Sequence, residues 1–308
     1  MPSPAISTNF ADLLDPRFNE VFDSEYTQLP DMVGDFYRVT QGKLSTERYS
    51  QVGALPEISA FTGTVTYGDV NQGYDTTVTP LQFAQGFQVE RALWDDDQTD
   101  IIMNKPKTLA DSIYRLRQIH RVRPFVNAFS VDTYFYTNSE NVAMCSNSHT
   151  TTSGASTTNG FDNYVTTALS ATSVAALRIQ MIKHRNDQGQ EIGIMPDTLY
   201  IPVDLYETAY EIVASAGKVD QATNNANVHY GQYKLIEDLW LSTRGDTNNW
   251  FMMDSKLMKR WGLLWVERNK GEFGMVEDFD TLLGKWRAYM RWGNSHLDWR
   301  WVSGAEVS

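Results

Sequence analysis

The sequence predicts an α+β fold built on a strand ribbon and one long helix. Three patterns predict it: alternating apolar and polar residues on both sides of a glycine-rich turn, a helical period interleaved with arginines, and a return to strand patterning late in the chain. With 308 residues, one large domain or two modest ones is expected. Hydrophobic residues make up 42% of the chain, which excludes disorder as its dominant state. Lys+Arg number 26 against 38 Asp+Glu, a net charge of −12 that argues against clamping nucleic-acid phosphates over a broad surface. The single cysteine, Cys145, excludes an intramolecular disulfide and a cysteine-based zinc site. Five histidines (His120, His149, His184, His229, His296) leave little for a metal centre, so neither metal nor cofactor is expected. No apolar run approaches membrane-spanning length, and residues 1–14 lack a cationic stretch followed by an apolar one. The expectation is a soluble chain that folds in a reducing cytoplasm, with no membrane partner.

Residues 1–50 scatter aromatics (Phe10, Phe18, Phe22, Tyr26, Phe36, Tyr37) among Pro, Asp, Asn and Thr without a sustained period. Such a segment reads as an arm that packs on something else, in cis or on a neighbour. From Gln51 to Arg91 the pattern changes. Phe61–Tyr67 alternates, Gly68–Gly73 supplies turn residues, Tyr74–Thr79 starts a second run and Phe83–Val89 continues it. The expected product is a long hairpin with polar faces, too exposed to stand without a partner. Phe61, Tyr67, Tyr74 and Phe83 are its candidate inter-subunit contacts.

Pro106 suits a first helical turn, and Leu109, Ile113, Leu116 and Ile119 follow at helical steps. Arg115, Arg117, Arg121 and Arg123 lie between and just beyond them, so this face either touches an acidic partner or bridges to the chain's own acids. Pro124 should interrupt or kink the helix, which could resume through Val126 and Phe129. A Ser/Thr/Gly/Asn loop spans 150–160, a helix starts near a cap at Ser173, and Thr198–Ile201 is a short strand. Pro202 opens a third helix that stops at Gly217; a polar loop, 218–231, and strands to the end follow. Eight of the nine tryptophans fall between Trp240 and Trp301, so late burial leans on large aromatics rather than on a stacking platform.

Cys145, Asn147, Ser148 and His149 could suggest a Cys/His nucleophile pair, but closeness in sequence carries little weight and a side-chain-bonded turn is the stronger reading. Asp95, Asp96, Asp97 and Asp100 lack the mid-loop glycine and later glutamate of a calcium loop, and read as a solvated acidic entry to the helix.

The order of these parts resembles the major capsid protein of tailed phages, a fold shared with encapsulins, and looks most like the Mu-like prophage head subunits. Three pieces carry the resemblance: Ala143–His149 before its polar loop, Gly189–Pro202, and Trp250–Asp254. It covers roughly Gln51 to Trp301. It implies an N-terminal arm (1–50), an extension loop (51–91), a peripheral domain with a spine helix (92–159), an axial domain (160–270) and closing strands that return to the peripheral domain (271–308). It further implies a non-enzymatic subunit, located in the virion and assembled in the host cytoplasm as pentamers and hexamers of an icosahedral shell. Its partners would be copies of itself, a portal, scaffolding or decoration proteins, and weakly held double-stranded DNA. Some relatives weld subunits through a lysine on the extension loop; no lysine lies between Lys43 and Lys105, so that bond is not expected here. The rival readings are an encapsulin-like cargo compartment, a Cys/His hydrolase and a monomeric binding module.

Overall fold

The computed structural model describes residues 20–27, 31–65, 67–90, 102, 104–217, 226–278 and 283–308. The arm aromatics Phe10 and Phe18, and Asp95, Asp96, Asp97 and Asp100, lie outside the described residues. Residues 20–27 are helical and α1 is Val33–Phe36. Phe22, Val33, Phe36 and Tyr37 are buried in the chain's main apolar cluster, so this part of the leading segment packs in cis.

Strand β1 (Arg38–Gln41) runs parallel to β10 (Leu263–Asp278), which pairs antiparallel with β11 (Leu283–His296). Strand β4 (Leu81–Glu90) completes this four-stranded sheet, ordered β1-β10-β11-β4. A three-stranded sheet joins β2 (Glu47–Val52), β3 (Gln72–Val78) and β5 (Tyr136–Asn138). The expected ribbon is therefore a shorter pair. β2 and β3 form it, no strand is found among the described residues of 61–67, and Phe83–Val89 belongs to a different sheet. The chain switches sheets at Thr79-Pro80, where proline removes a ladder donor and ends β3.

Helix α2 (Asn104–Val126) crosses this frame. It runs two residues past Pro124 instead of breaking there. Pro124 cannot donate to the His120 carbonyl one turn back, and the Asn294 side-chain amide from β11 donates to that oxygen instead. A partner on another element thus satisfies the carbonyl that proline leaves orphaned.

The five-stranded sheet is ordered β6-β12-β9-β7-β8, from Tyr164–Val165, Val302–Ala305, Trp250–Met253, Thr198–Pro202 and Lys234–Asp238 respectively. The last strand of the chain therefore lies in this sheet, beside β9. Both faces of β7 and β9 are covered, which explains their unbroken apolar runs. Tyr200, Phe251 and Met253 point into the main cluster with Phe125 of α2, whereas Leu199, Ile201, Trp250 and Met252 point into a second cluster. Helices α3 (Ala171–Ile182) and α4 (Tyr206–Ala214) cover that second face. Ser170, not Ser173, caps α3, and the two serines bond reciprocally as a capping box. A short 3-10 turn, Val203–Leu205, separates Pro202 from α4.

Candidate assembly interface

Between β2 and β3 the chain leaves the body. Gly53 N–H donates to the Asn71 carbonyl at 2.9 Å, and Ala54 N–H donates to Asp187 Oδ1 at 2.8 Å. These bonds pin the foot of an excursion. Gly53 is required there, because a Cβ would sit 2.2 Å from Asp187 Oδ2 and 2.8 Å from the Asn71 oxygen. Beyond the foot, every residue described from 55 to 70 is exposed. Six of them are large and apolar: Leu55, Ile58, Phe61, Val65, Tyr67 and Val70. Ile58 is 96% exposed and Tyr67 94%, which no monomer needs.

The four candidate contacts divide. Phe61 and Tyr67 stand on this excursion in solvent. Tyr74 lies at its foot, its hydroxyl 2.6 Å from Thr150 Oγ1. Phe83 is occupied within the subunit, with its ring between His120 (4.9 Å) and Trp292 (5.0 Å). Leu55, Ile58 and Val70 belong with Phe61, yet they lack the alternation that would mark them in the sequence.

The arginine stripe divides as well. Arg117 is 7% exposed and holds Asp31 of the leading segment (2.9 Å) and Glu267 of β10 (2.7 Å). Arg121 is 1% exposed, pairs with Asp238, and takes a 2.7 Å bond from Nε to Gln118 Oε1. Asp238 also accepts the Tyr200 hydroxyl at 2.7 Å and caps helix α5 (Leu239–Arg244) through Trp240 N–H at 2.8 Å. Arg123 meets Asp132 at 2.8 Å. Arg115 is exposed and, among the described residues, has no ion-pair partner.

Cys145 is sealed in the core, where its Sγ lies 2.9 Å from the position a Cβ on Gly304 would take, and burial pushes its thiol up, away from the reactive thiolate. His149 faces Glu140 (3.1 Å) and Asn163 (3.2 Å) and stacks on Trp299 at 4.1 Å. Asn163 in turn accepts Ser146 N–H and donates to the Met144 and Val302 carbonyls, so this segment is a hydrogen-bonded turn locked to β12. Trp286, Trp292, Trp299 and Trp301 are all buried and present no stacking face. Among the described residues no group of three or more His, Cys, Asp or Glu is placed to hold a metal ion, and no helix is long and apolar enough to cross a membrane.

Exposed apolar side chains on a pinned excursion point to assembly, and comparison with known proteins gives its kind. The family described as phage capsid protein matches residues 73–303, three quarters of the chain. The chain belongs to the phage capsid protein family. Solved capsids share the fold of this subunit. The mature capsid of bacteriophage PhiM1 superposes with a TM-score of 0.62 at 9% identity, over 91% of this chain and 88% of that one. A chain of Microbacterium phage Oxtober96 gives 0.53 at 11%, over 91% and 92%, and the capsid of bacteriophage JBD30 gives 0.51 at 13%, over 70% and 92%. No curated protein matches by sequence. The comparisons reach the family and not the Mu-like branch within it. The subunit is a structural, non-enzymatic component of the icosahedral head shell, and its location is the virion.

Proposed function

We propose that copies of this subunit close as pentamers and hexamers around double-stranded DNA, and that the excursion at 53–71 clamps each copy onto a neighbour. The observation that carries this is the set of six large apolar side chains left in solvent on a loop whose foot is pinned to the body. Shells of this kind bury thousands of Å² per subunit, and a loop of this length supplies area a flat contact cannot. Phe61 and Tyr67 are the clamp's outer contacts, with Tyr74 bracing its foot and Phe83 holding the adjoining strand from inside. Arg117, Arg121 and Arg123 form a salt-bridging face within the subunit. The net charge of −12 keeps contact with packaged DNA weak and non-specific.

The proposed division is an arm (1–50), an extension loop (51–91), a peripheral domain with α2 as its spine (92–159), an axial domain (160–270) and closing strands (271–308). Portal, scaffolding and decoration proteins are the further partners, and the host cytoplasm is the place of assembly. A cargo compartment of the encapsulin kind is the second reading, because a virus-like particle from Pyrococcus furiosus shares the fold at a TM-score of 0.50. DNA protected from nuclease in purified particles separates the two.

Replacing residues 55–69 by a short Gly/Ser link tests the clamp. The segment touches neither apolar cluster, so the variant keeps the melting temperature of the parent while negative-stain microscopy shows no shells. Normal shells from that variant refute the clamp.

A further inference from the structure

The sequence holds one Asn-Gly step, Asn159-Gly160, at the end of the polar loop 150–160. Asn159 is exposed, lies in neither helix nor strand, and its side chain makes no hydrogen bond among the described residues. Asparagines elsewhere in the body are held. Asn163, Asn227 and Asn294 donate their side-chain amides to backbone carbonyls, and Asn138 and Asn186 accept backbone N–H groups.

Gly160 completes the site. It stands at φ +77, and a Cβ there would lie 2.4 Å from the Lys183 carbonyl oxygen, so only glycine fits. The residue that fits is also the one with no side chain to shield its nitrogen. Its N–H donates to no group among the described residues, while its carbonyl is held by the Arg185 N–H at 3.0 Å. A side-chain amide and a backbone nitrogen, neither committed elsewhere, therefore stand next to each other in the chain.

The surroundings suit the charge that their reaction would create. Asn159 and Gly160 line a hollow of about 520 Å³ whose wall also carries Lys183, Arg185, Asp162 and Glu191. Arg185 is taken by Glu191 at 3.1 Å, whereas Lys183, which follows α3, has no ion-pair partner among the described residues. A carboxylate at 159 would share the hollow with that unpaired cation, which favours its charged form. The same loop braces the excursion: Thr152 Oγ1 donates to the Gln72 carbonyl at 2.9 Å, and Thr151 Oγ1 to the Asp187 carbonyl at 2.9 Å.

We infer that Asn159 is a site of self-modification by the Gly160 nitrogen. That nitrogen gives up its proton to water and attacks Asn159 Cγ; the N–Cγ bond forms, the Cγ–Nδ2 bond breaks and ammonia leaves. Water then opens the five-membered imide. Attack at Cγ gives aspartate, and attack at the main-chain carbonyl carbon gives isoaspartate, which puts an extra methylene into the backbone. In balance, an amide and water become a carboxylate and ammonium. Each copy thus gains one negative charge with age, in the loop that braces the excursion. The inference goes beyond the clamp and does not rest on it.

Isoelectric focusing of the intact chain tests it. The folded, full-length protein is kept in mildly alkaline buffer made with heavy-oxygen water and sampled over time. The parent acquires a second, more acidic species that grows steadily. Asn159→Gln keeps an amide but closes to the larger imide far less readily, so its acidic species lags far behind; the position is exposed and unbonded, so the fold is unchanged. Peptides from an acidic digest place both aspartate and isoaspartate at 159, each with one heavy oxygen, which dates the reaction to the folded chain rather than to the digest. An equal acidic shift in Asn159→Gln, or none in the parent, overturns the inference. So does aspartate alone at 159, the mark of direct hydrolysis without the imide.

Discussion

His120, His184 and His296 are each buried, and burial pushes each down to about 4 from an ordinary value of 6.5. His120 Nδ1 accepts the Trp292 indole N–H at 3.0 Å, and His296 Nδ1 lies 2.8 Å from the Tyr136 hydroxyl. A folded chain that resists these protons is at full strength above about pH 6.5 and weakens as the pH falls toward 4, because the unfolded chain takes the protons up first. A drop of 2.5 units corresponds to about 3 kcal/mol per histidine as an upper bound. His184 contributes less: its two nitrogens face two backbone carbonyls, Arg300 at 3.0 Å and Asp162 at 3.2 Å, and a neutral ring offers only one N–H. The melting temperature is expected to fall steadily between pH 6.5 and 4.5, less so in His120→Gln and His296→Gln; a flat profile for the parent chain contradicts this. None of this burial is visible in the sequence. Arg117 and Arg121 show why: they sit four and eight residues after the core residue Ile113, on its own helix face, and their acids come from Asp31, Glu267 and Asp238, far away along the chain. Helical spacing gives the face, but only the fold gives the partners.

Helix α2 was legible in its start and its period; Pro124, expected to interrupt or kink it, lies inside a helix that runs two residues further. The compensating donor, Asn294, lies 170 residues later in sequence and is 1% exposed. Asn294→Ala leaves a buried carbonyl unpaired and should cost about 1–3 kcal/mol in urea unfolding. In the double variant Pro124→Ala/Asn294→Ala the residue at 124 regains an N–H for that carbonyl, so the double variant should be more stable than the two single costs predict. Simple additivity would show that the amide does not replace the missing helix bond. The ribbon was legible only in part. Alternation at 61–67 marks a strand-forming run, but alternation does not say which strand it joins, and among the described residues it joins none. Strand β7, by contrast, was legible as the short run Thr198–Ile201, whereas β9 entered only through the resemblance carried by Trp250–Asp254.

At the scale of the molecule, the ordered set of arm, loop, long helix and late strands carried the family where no single motif did. The two larger apolar clusters share the five-stranded sheet as a common wall, and residues 20–27 and 31–41 add Phe22, Val33, Phe36 and Tyr37 to the main one. Among the described residues, what one copy leaves in solvent is narrow: the apolar side chains of the excursion at 53–71. The sequence left open whether the leading segment packs in cis or on a neighbour, because isolated aromatics look alike in both cases; Phe22, Phe36 and Tyr37 pack in cis.

Between Arg48 and Arg91 the chain has neither lysine nor arginine. This exposed stretch is therefore silent to trypsin, while Phe61 and Tyr67 offer themselves to chymotrypsin. A free subunit should be nicked there by the second protease and spared by the first, and a closed particle should resist both.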